Sequence, residues 1–181
     1  MKRKLFSFVV YGLISLFLGL VWAQGADEMT GQMQEAGMMK LTSKEFQHNG
    51  LIPKKFTCQG SDVNPSLTIE NVPAKTKTLV LIVDDPDAPR GTWVHWVAFN
   101  IPVITQIQEN SIPGVQGYND FGRVNYGGPC PPSGTHRYFF KLYALSSELE
   151  LEEGATKEEV EKAMAGRILD QAELIGLYKK Y

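Results

Sequence analysis

The sequence predicts a mostly β protein, a sandwich of two antiparallel sheets with one or two short helices near the carboxyl end. Three observations carry that prediction. Short runs rich in β-branched and aromatic residues recur at Phe56, Leu67–Ile69, Thr78–Val83, Trp93–Ile101 and Tyr138–Leu145. Proline and glycine punctuate the intervals, where the chain must reverse. Helical patterning is confined to the late part of the chain, and many short strands with little helix are the mark of a sandwich.

Residues 1–23 stand apart from that domain. Met1-Lys2-Arg3-Lys4 is a basic start, Leu5 to Trp22 is an apolar run, and Ala23 and Gly25 supply small residues where a signal peptidase cleaves. The segment therefore reads as a secretory signal peptide, and the mature protein is expected in the periplasm or outside the cell, with no stable membrane insertion after cleavage. An uncleaved anchor is the rival reading, since about 18 apolar residues begin to span a bilayer. Residues 24–40, rich in Gly, Gln, Glu and Met, lack apolar periodicity and read as a disordered linker. Four methionines there, Met29, Met33, Met38 and Met39, could suit Cu(I), but no His or Cys accompanies them. The globular domain is expected over 41–181.

Within the domain, Thr156-Lys157-Glu158-Glu159 has the form of a capping box, followed by Val160, Ala163 and Met164 at helical spacing and by Gly166 as a stop. Ile168 to Tyr178 has a mixed period that leaves more helix or a final strand open, with the strand favoured. A formal net charge of −2, with 21% charged residues, provides no basic footprint for nucleic acid. Any anion must be held locally.

Three segments carry the chemistry. The apolar run Leu79 to Val83 delivers Asp84-Asp85-Pro86-Asp87-Ala88-Pro89, read as a rigid loop because its prolines restrict φ and remove donors. In Trp93 to Asn100, a two-residue period puts Trp93, His95, Val97 and Phe99 on one face. Taken alone, a lone histidine there reads first as a hydrogen-bonded core residue. The third segment, Tyr126 to Tyr138, holds Gly127-Gly128-Pro129-Cys130-Pro131-Pro132, a stiff lip whose glycines allow close approach, and ends in His136 and Tyr138 on one strand face with Arg137 on the other.

Asp85-Pro86-Asp87-Ala88-Pro89 and Gly134-Thr135-His136-Arg137-Tyr138, with Trp93-x-His95 between them, resemble the two signatures of the phosphatidylethanolamine-binding protein family, also called Raf kinase inhibitor-like. The likeness runs from about Leu41 to Tyr178, including Thr57-Cys58-x-Gly60 and Ala172-Glu173-Leu174-x-Gly176-x-Tyr178 of its bacterial members. It implies a pocket built from Asp85, His95, His136 and Tyr138, with Asp87 and the Gly127–Gly128 backbone at its edge. The implied ligand is phosphate, acetate or a phospholipid headgroup such as phosphoethanolamine. It also implies a cis Ala88–Pro89 bond. Val94 stands where animal members often carry a second histidine, and the extended carboxyl-terminal helix of those members is missing, so kinase inhibition is not carried over.

In an exported chain the two cysteines, Cys58 and Cys130, suggest a disulfide. The competing reading pairs Cys130 with His136 and Asp85 as a Cys–His hydrolase. Asp85, His95 and His136 also have the composition of a two-histidine, one-carboxylate iron site. The leading reading has no catalytic residue, metal or cofactor: a binding protein for a small anionic or zwitterionic molecule, with inhibition of a hydrolase or other enzyme as the alternative.

Overall fold

A computed structural model of the chain describes residues 37–180. The signal segment and most of the linker lie outside the described residues. Their far boundary is earlier than the composition suggests. Met39 is buried in the core and its N–H donates to Asp170 Oδ2 at 2.9 Å, and the first strand begins at Lys40. A methionine among polar neighbours carries no sign of this, because its burial depends on a strand far along the chain.

The domain is built on two sheets. The larger contains β2 (Gly50–Leu51), β4 (Thr78–Asp85), β5 (Trp93–Ile101), β7 (Val115–Gln116), β8 (Thr135–Leu145) and β9 (Ile168–Lys179), in the order β2-β9-β8-β4-β5-β7. The smaller contains β1 (Lys40–Thr42), β3 (Leu67–Glu70) and β6 (Gln106–Ile107), in the order β1-β3-β6. All pairings are antiparallel except the short β2, which runs parallel to β9. The carboxyl-terminal segment is a strand, as its mixed period suggested. Phe56, grouped with the strands by composition, lies instead in a 3-10 turn, Lys54–Phe56, with its ring in the core.

Strand β4 is buried along its whole length because it is central and covered on both faces, which explains its unbroken apolar run. Leu79, Leu81 and Val83 face inward toward Leu41, Leu67, Ile69 and Ile107 of the small sheet. Val80 and Ile82 face outward to Val160 and Met164 of helix α1 (Lys157–Met164). Strand β8 follows the same alternation, with Tyr138, Phe140 and Leu142 inside. Helix α1 starts at the capping box: Thr156 Oγ1 accepts from the Glu159 N–H, and the Glu159 carboxylate accepts from the Thr156 N–H. Gly166, just beyond it, has φ +75°, a left-handed conformation at the helix end.

The alternation places Asp84 outward and Asp85 inward. Both belong to β4 and not, as the proline-rich sequence suggests, to the loop after it, because backbone pairing to β5 persists as far as Asp85↔Trp93. Asp84 is fully buried between two ammonium groups: Lys141 Nζ lies 2.9 Å from Oδ1 and Lys157 Nζ 2.6 Å from Oδ2. Burial lowers the pKa of Lys157, but its hydrogen bond and attraction to Asp84 outweigh that and leave it above the ordinary value. Thus one aspartate ties the helix to the sheet while its neighbour faces the opposite side.

The loop after β4 turns at Ala88–Gly91, where the Gly91 N–H donates to the Ala88 carbonyl at 3.2 Å. No peptide bond among the described residues is cis, so the expected cis Ala88–Pro89 bond is corrected to trans. Pro89 is the second residue of that turn, a position that takes a trans proline, whereas a cis proline belongs at the third.

Cys58 and Cys130 form a disulfide with Cα atoms 5.5 Å apart, across a separation of 72 residues. In the chain-entropy account such a loop stabilises by about 4 kcal/mol. Denaturant unfolding of the Cys58→Ser, Cys130→Ser double variant is expected to show a loss approaching that size. Asp84→Ala leaves two lysines facing a buried gap and is expected to cost about 3 kcal/mol. Chemical denaturation measures this too, and a loss below 1 kcal/mol would rule out a structural role for the triad.

Candidate functional site

Near the end of β4, Asp85 is held on both carboxylate oxygens. Its Oδ1 accepts from the Asp87 N–H at 2.8 Å and its Oδ2 lies 2.7 Å from His136 Nδ1. Both side chains are buried, at 3% and 7% exposure. A carboxylate only accepts, so His136 Nδ1 is the donor and Nε2 is the ring nitrogen left over. Asp85 therefore acts as a positioning residue for His136.

His95 reaches the same place through a break in the strand period. Val83 pairs with Trp96 and Asp84 with Val94, which leaves His95 as the extra residue of a β-bulge. The bulge shifts the phase, so His95 shares the inward side with Trp96 and Ala98 while Val97 and Phe99 face α1. Grouping His95 with Val97 and Phe99 by a strict two-residue period is thereby overturned. A single inserted residue costs one ladder pairing and has no compositional mark.

The His95 ring meets Tyr138 edge-on, with centroids 5.1 Å apart. Its Nδ1 lies 2.6 Å from the Gly127 carbonyl oxygen, an acceptor only, so Nδ1 carries the proton. Burial, the largest influence, lowers the His95 pKa, against the hydrogen bond to Gly127 and the charges of Asp85, Asp120 and Asp62, which raise it. Tyr138 is fully buried, and its hydroxyl stands beside the Asp85 carboxylate and the Cys130 backbone without a well-formed hydrogen bond to either. Burial first, then the Asp85 charge, push its pKa far above the ordinary phenol value, so the hydroxyl keeps its proton.

Asp85, His95, His136 and Tyr138 are thus brought together from three strands. The lip lies against them. Gly127 donates its N–H to the His95 carbonyl at 2.9 Å, and Gly128 donates to Asp62 Oδ1 at 2.7 Å. These two backbone donors are therefore engaged within the protein, and the glycines lie at the edge of the cluster. The glycines are required for close approach. A Cβ on Gly128 would lie 2.6 Å from the Phe56 carbonyl oxygen, and one on Gly127 would lie 2.5 Å from the Phe121 ring. The Cys58–Cys130 bridge, the Cys58 N–H donating to Pro129 O at 3.2 Å and Tyr126 Oη donating to Phe56 O at 2.8 Å fasten the lip to residues 56–62.

Asp87 does not join the cluster. Arg137, on the outer face of β8, donates to it from Nε at 2.9 Å, from Nη2 at 2.7 Å and from its backbone N–H at 3.0 Å. The hydrogen bond to Arg137 holds the Asp87 pKa down at about 2. Asp87 is a rim residue that fixes the loop to β8. A groove of about 360 Å³ is lined by Leu51, Ile52, Pro53, Gln59 and Tyr178 and by neither His95 nor His136, although Tyr178 pairs with His136 across β8 and β9. Among the described residues no group of three His, Cys, Asp or Glu side chains is arranged to hold a metal ion.

Sequence reasoning missed Phe121 and Asn119. Phe121 packs edge-on against both Trp93 and His95, with centroids 5.4 and 5.3 Å away, and closes one side of the cluster. Asn119 positions it: its Oδ1 accepts from the Phe121 and Arg123 N–H groups, each at 3.0 Å, and its Nδ2 donates to Asn125 O at 2.7 Å. A buried asparagine that knits its own loop looks in sequence like any turn residue.

A family model for phosphatidylethanolamine-binding proteins matches residues 42–179. A UPF0098 protein of Methanothermobacter thermautotrophicus is 50% identical over 150 residues, 78% of this chain and 99% of that protein. Among solved structures, the phosphatidylethanolamine-binding protein homologue CT736 of Chlamydia trachomatis superposes with a TM-score of 0.77 at 45% identity, covering 80% of this chain and 99% of that one. YbcL of E. coli, described as a member of the mammalian family, has a TM-score of 0.74 at 30% identity, over 79% and 99% of the two chains. With the family model covering both sheets and every residue of the cluster, the chain belongs to the phosphatidylethanolamine-binding protein family.

Proposed function

We propose that the protein is an exported binding protein whose small pocket, formed by Asp85, His95, His136 and Tyr138, takes an anionic or zwitterionic molecule of the phosphate, acetate or phosphoethanolamine type. The observation that carries this reading is the Tyr138 hydroxyl, sealed from solvent, kept protonated and without a well-formed hydrogen bond, beside the Asp85 carboxylate that holds His136. A buried polar group left unpaired costs about 1–3 kcal/mol, and such groups are rare, so a ligand that pairs with this one would recover that cost. Beside it, His136 Nε2 is the ring nitrogen left over once Asp85 accepts from Nδ1–H, and it donates only in the imidazolium form. A phosphate or carboxylate oxygen suits both.

Export is supported by the basic and apolar amino-terminal sequence together with the disulfide, which belongs to an oxidising compartment. No catalytic step is part of the proposal. The sulfur of Cys130, which a Cys–His hydrolase would need as a thiolate, is bonded to Cys58.

Calorimetric titration with phosphoethanolamine tests the pocket. His136→Ala removes a charge-assisted hydrogen bond and is expected to weaken binding about ten- to hundredfold. Tyr138→Phe is expected to cost less, about tenfold, because a neutral donor is lost. Equal affinities for wild type and both variants would remove the assignment.

A further inference from the structure

We propose that His95 is the specificity-determining residue of the pocket and that it acts as a hydrogen-bond acceptor, so that the site selects a phosphate monoester in its singly protonated, P–OH form over the dianion and over phosphodiesters. The inference rests on the binding reading above and concerns which ligand chemistry that pocket accepts.

Donors and acceptors around the cluster decide which ligand form it accepts. His95 Nδ1 carries its proton because it faces the Gly127 carbonyl at 2.6 Å, so in the neutral ring Nε2 has only a lone pair to offer. The hydrogen bond of the ring is made by Nδ1, and Nε2 is not among the buried atoms that lack a partner, so it is the nitrogen open to a ligand or to solvent. Around the ring stand Asp85 from β4, Asp62 and Asp120 from the loops, and Tyr138 from β8. The three carboxylates favour protonation, but burial is the larger influence and lowers the pKa, which favours the neutral ring. The nearby backbone donors are withdrawn, since Gly127 N–H binds the His95 carbonyl and Gly128 N–H binds Asp62. The cluster therefore offers an anion the Tyr138 Oη–H as donor, His136 Nε2 as a second donor only in the imidazolium form, and His95 Nε2 as an acceptor.

A bare phosphate oxygen against His95 Nε2 sets lone pair against lone pair. A P–OH group resolves the conflict by donating to it, leaving two anionic oxygens for His136 and Tyr138. A phosphate monoester keeps that proton below its second pKa of about 6, and a diester never has one. A buried site that hydrogen-bonds one polar hydrogen rejects the analogue lacking it because its own group is left unpaired.

Methyl phosphate and dimethyl phosphate near pH 5.5 make the comparison clean, because with a second pKa of about 6 the monoester is then mostly a monoanion, like the diester, and differs in having P–OH for P–OCH3. Wild-type protein is expected to bind methyl phosphate about ten- to hundredfold more tightly in calorimetry. His95→Gln, which puts an amide able to donate where the imidazole lone pair was, is expected to reduce that ratio to a few-fold. Equal binding of the two esters by wild type would overturn the proposal while leaving the pocket intact, and an unchanged ratio in His95→Gln would overturn it in favour of a steric cause. Failure of wild type to bind methyl phosphate, dimethyl phosphate or phosphoethanolamine would instead overturn the pocket reading and this one with it. Nitrogen-15 NMR of the wild-type imidazoles requires no variant. His95 is expected as the neutral ring with its proton on Nδ1 at pH 7 and near pH 5.5, and a proton on Nε2 at either pH would refute the proposal.

Discussion

The hydrogen bond from His95 Nδ1 to the Gly127 carbonyl joins the sheet to the lip, and the rest of the site depends on it. It exists because β5 contains one residue more than its partner requires at that point, which turns His95 inward beside Trp96. The reciprocal bond, Gly127 N–H to the His95 carbonyl, makes the two segments hold one another at both backbone and side chain. Without the bulge, His95 would face helix α1, and the Gly127 carbonyl would lose its partner. Bulges recur at binding sites for this reason: they re-aim one side chain at the expense of one ladder pairing.

Around that bond the protein places its polar groups on the inner edge of an otherwise apolar core. Neighbouring aspartates at the end of β4 are used in opposite ways. Asp84 neutralises two lysines on the outer side and secures the helix, while Asp85 orients His136 on the inner side. Strand alternation alone separates the two roles, since each residue is turned to the opposite face. Next along, Asp87 is paired with Arg137, so three acids within four positions serve a core ion triad, a histidine and a rim clamp.

The rigidity of the lip follows from how many independent ties it has. Its glycines let it lie against Phe56 and Phe121 at distances that exclude a side chain, its prolines limit its backbone, and the disulfide fastens it covalently. Few of its polar groups are left to move or to bind. That is why the chemistry of the cluster rests on side chains of the sheet and not on backbone donors of the loop, and why the protonation of two imidazoles and one phenol determines its polarity.

Much of this was legible in the amino-acid sequence, for identifiable reasons. Strand periods in β4 and β8, the Thr156–Glu159 capping box and the Asp85–Pro89 and Gly134–Tyr138 motifs are local, so they define the sheet-rich fold and nominate Asp85, His95, His136 and Tyr138. Two cysteines in the chain leave one internal pairing to consider. Only the tertiary structure decided which way His95 faces, that the Gly127 and Gly128 N–H groups are engaged, that Asp87 belongs to Arg137, and that Phe121 walls the cluster. Those outcomes depend on which partner reaches a group first across long separations, and a hydrogen bond made between residues 32 positions apart has no local signature in the chain that makes it.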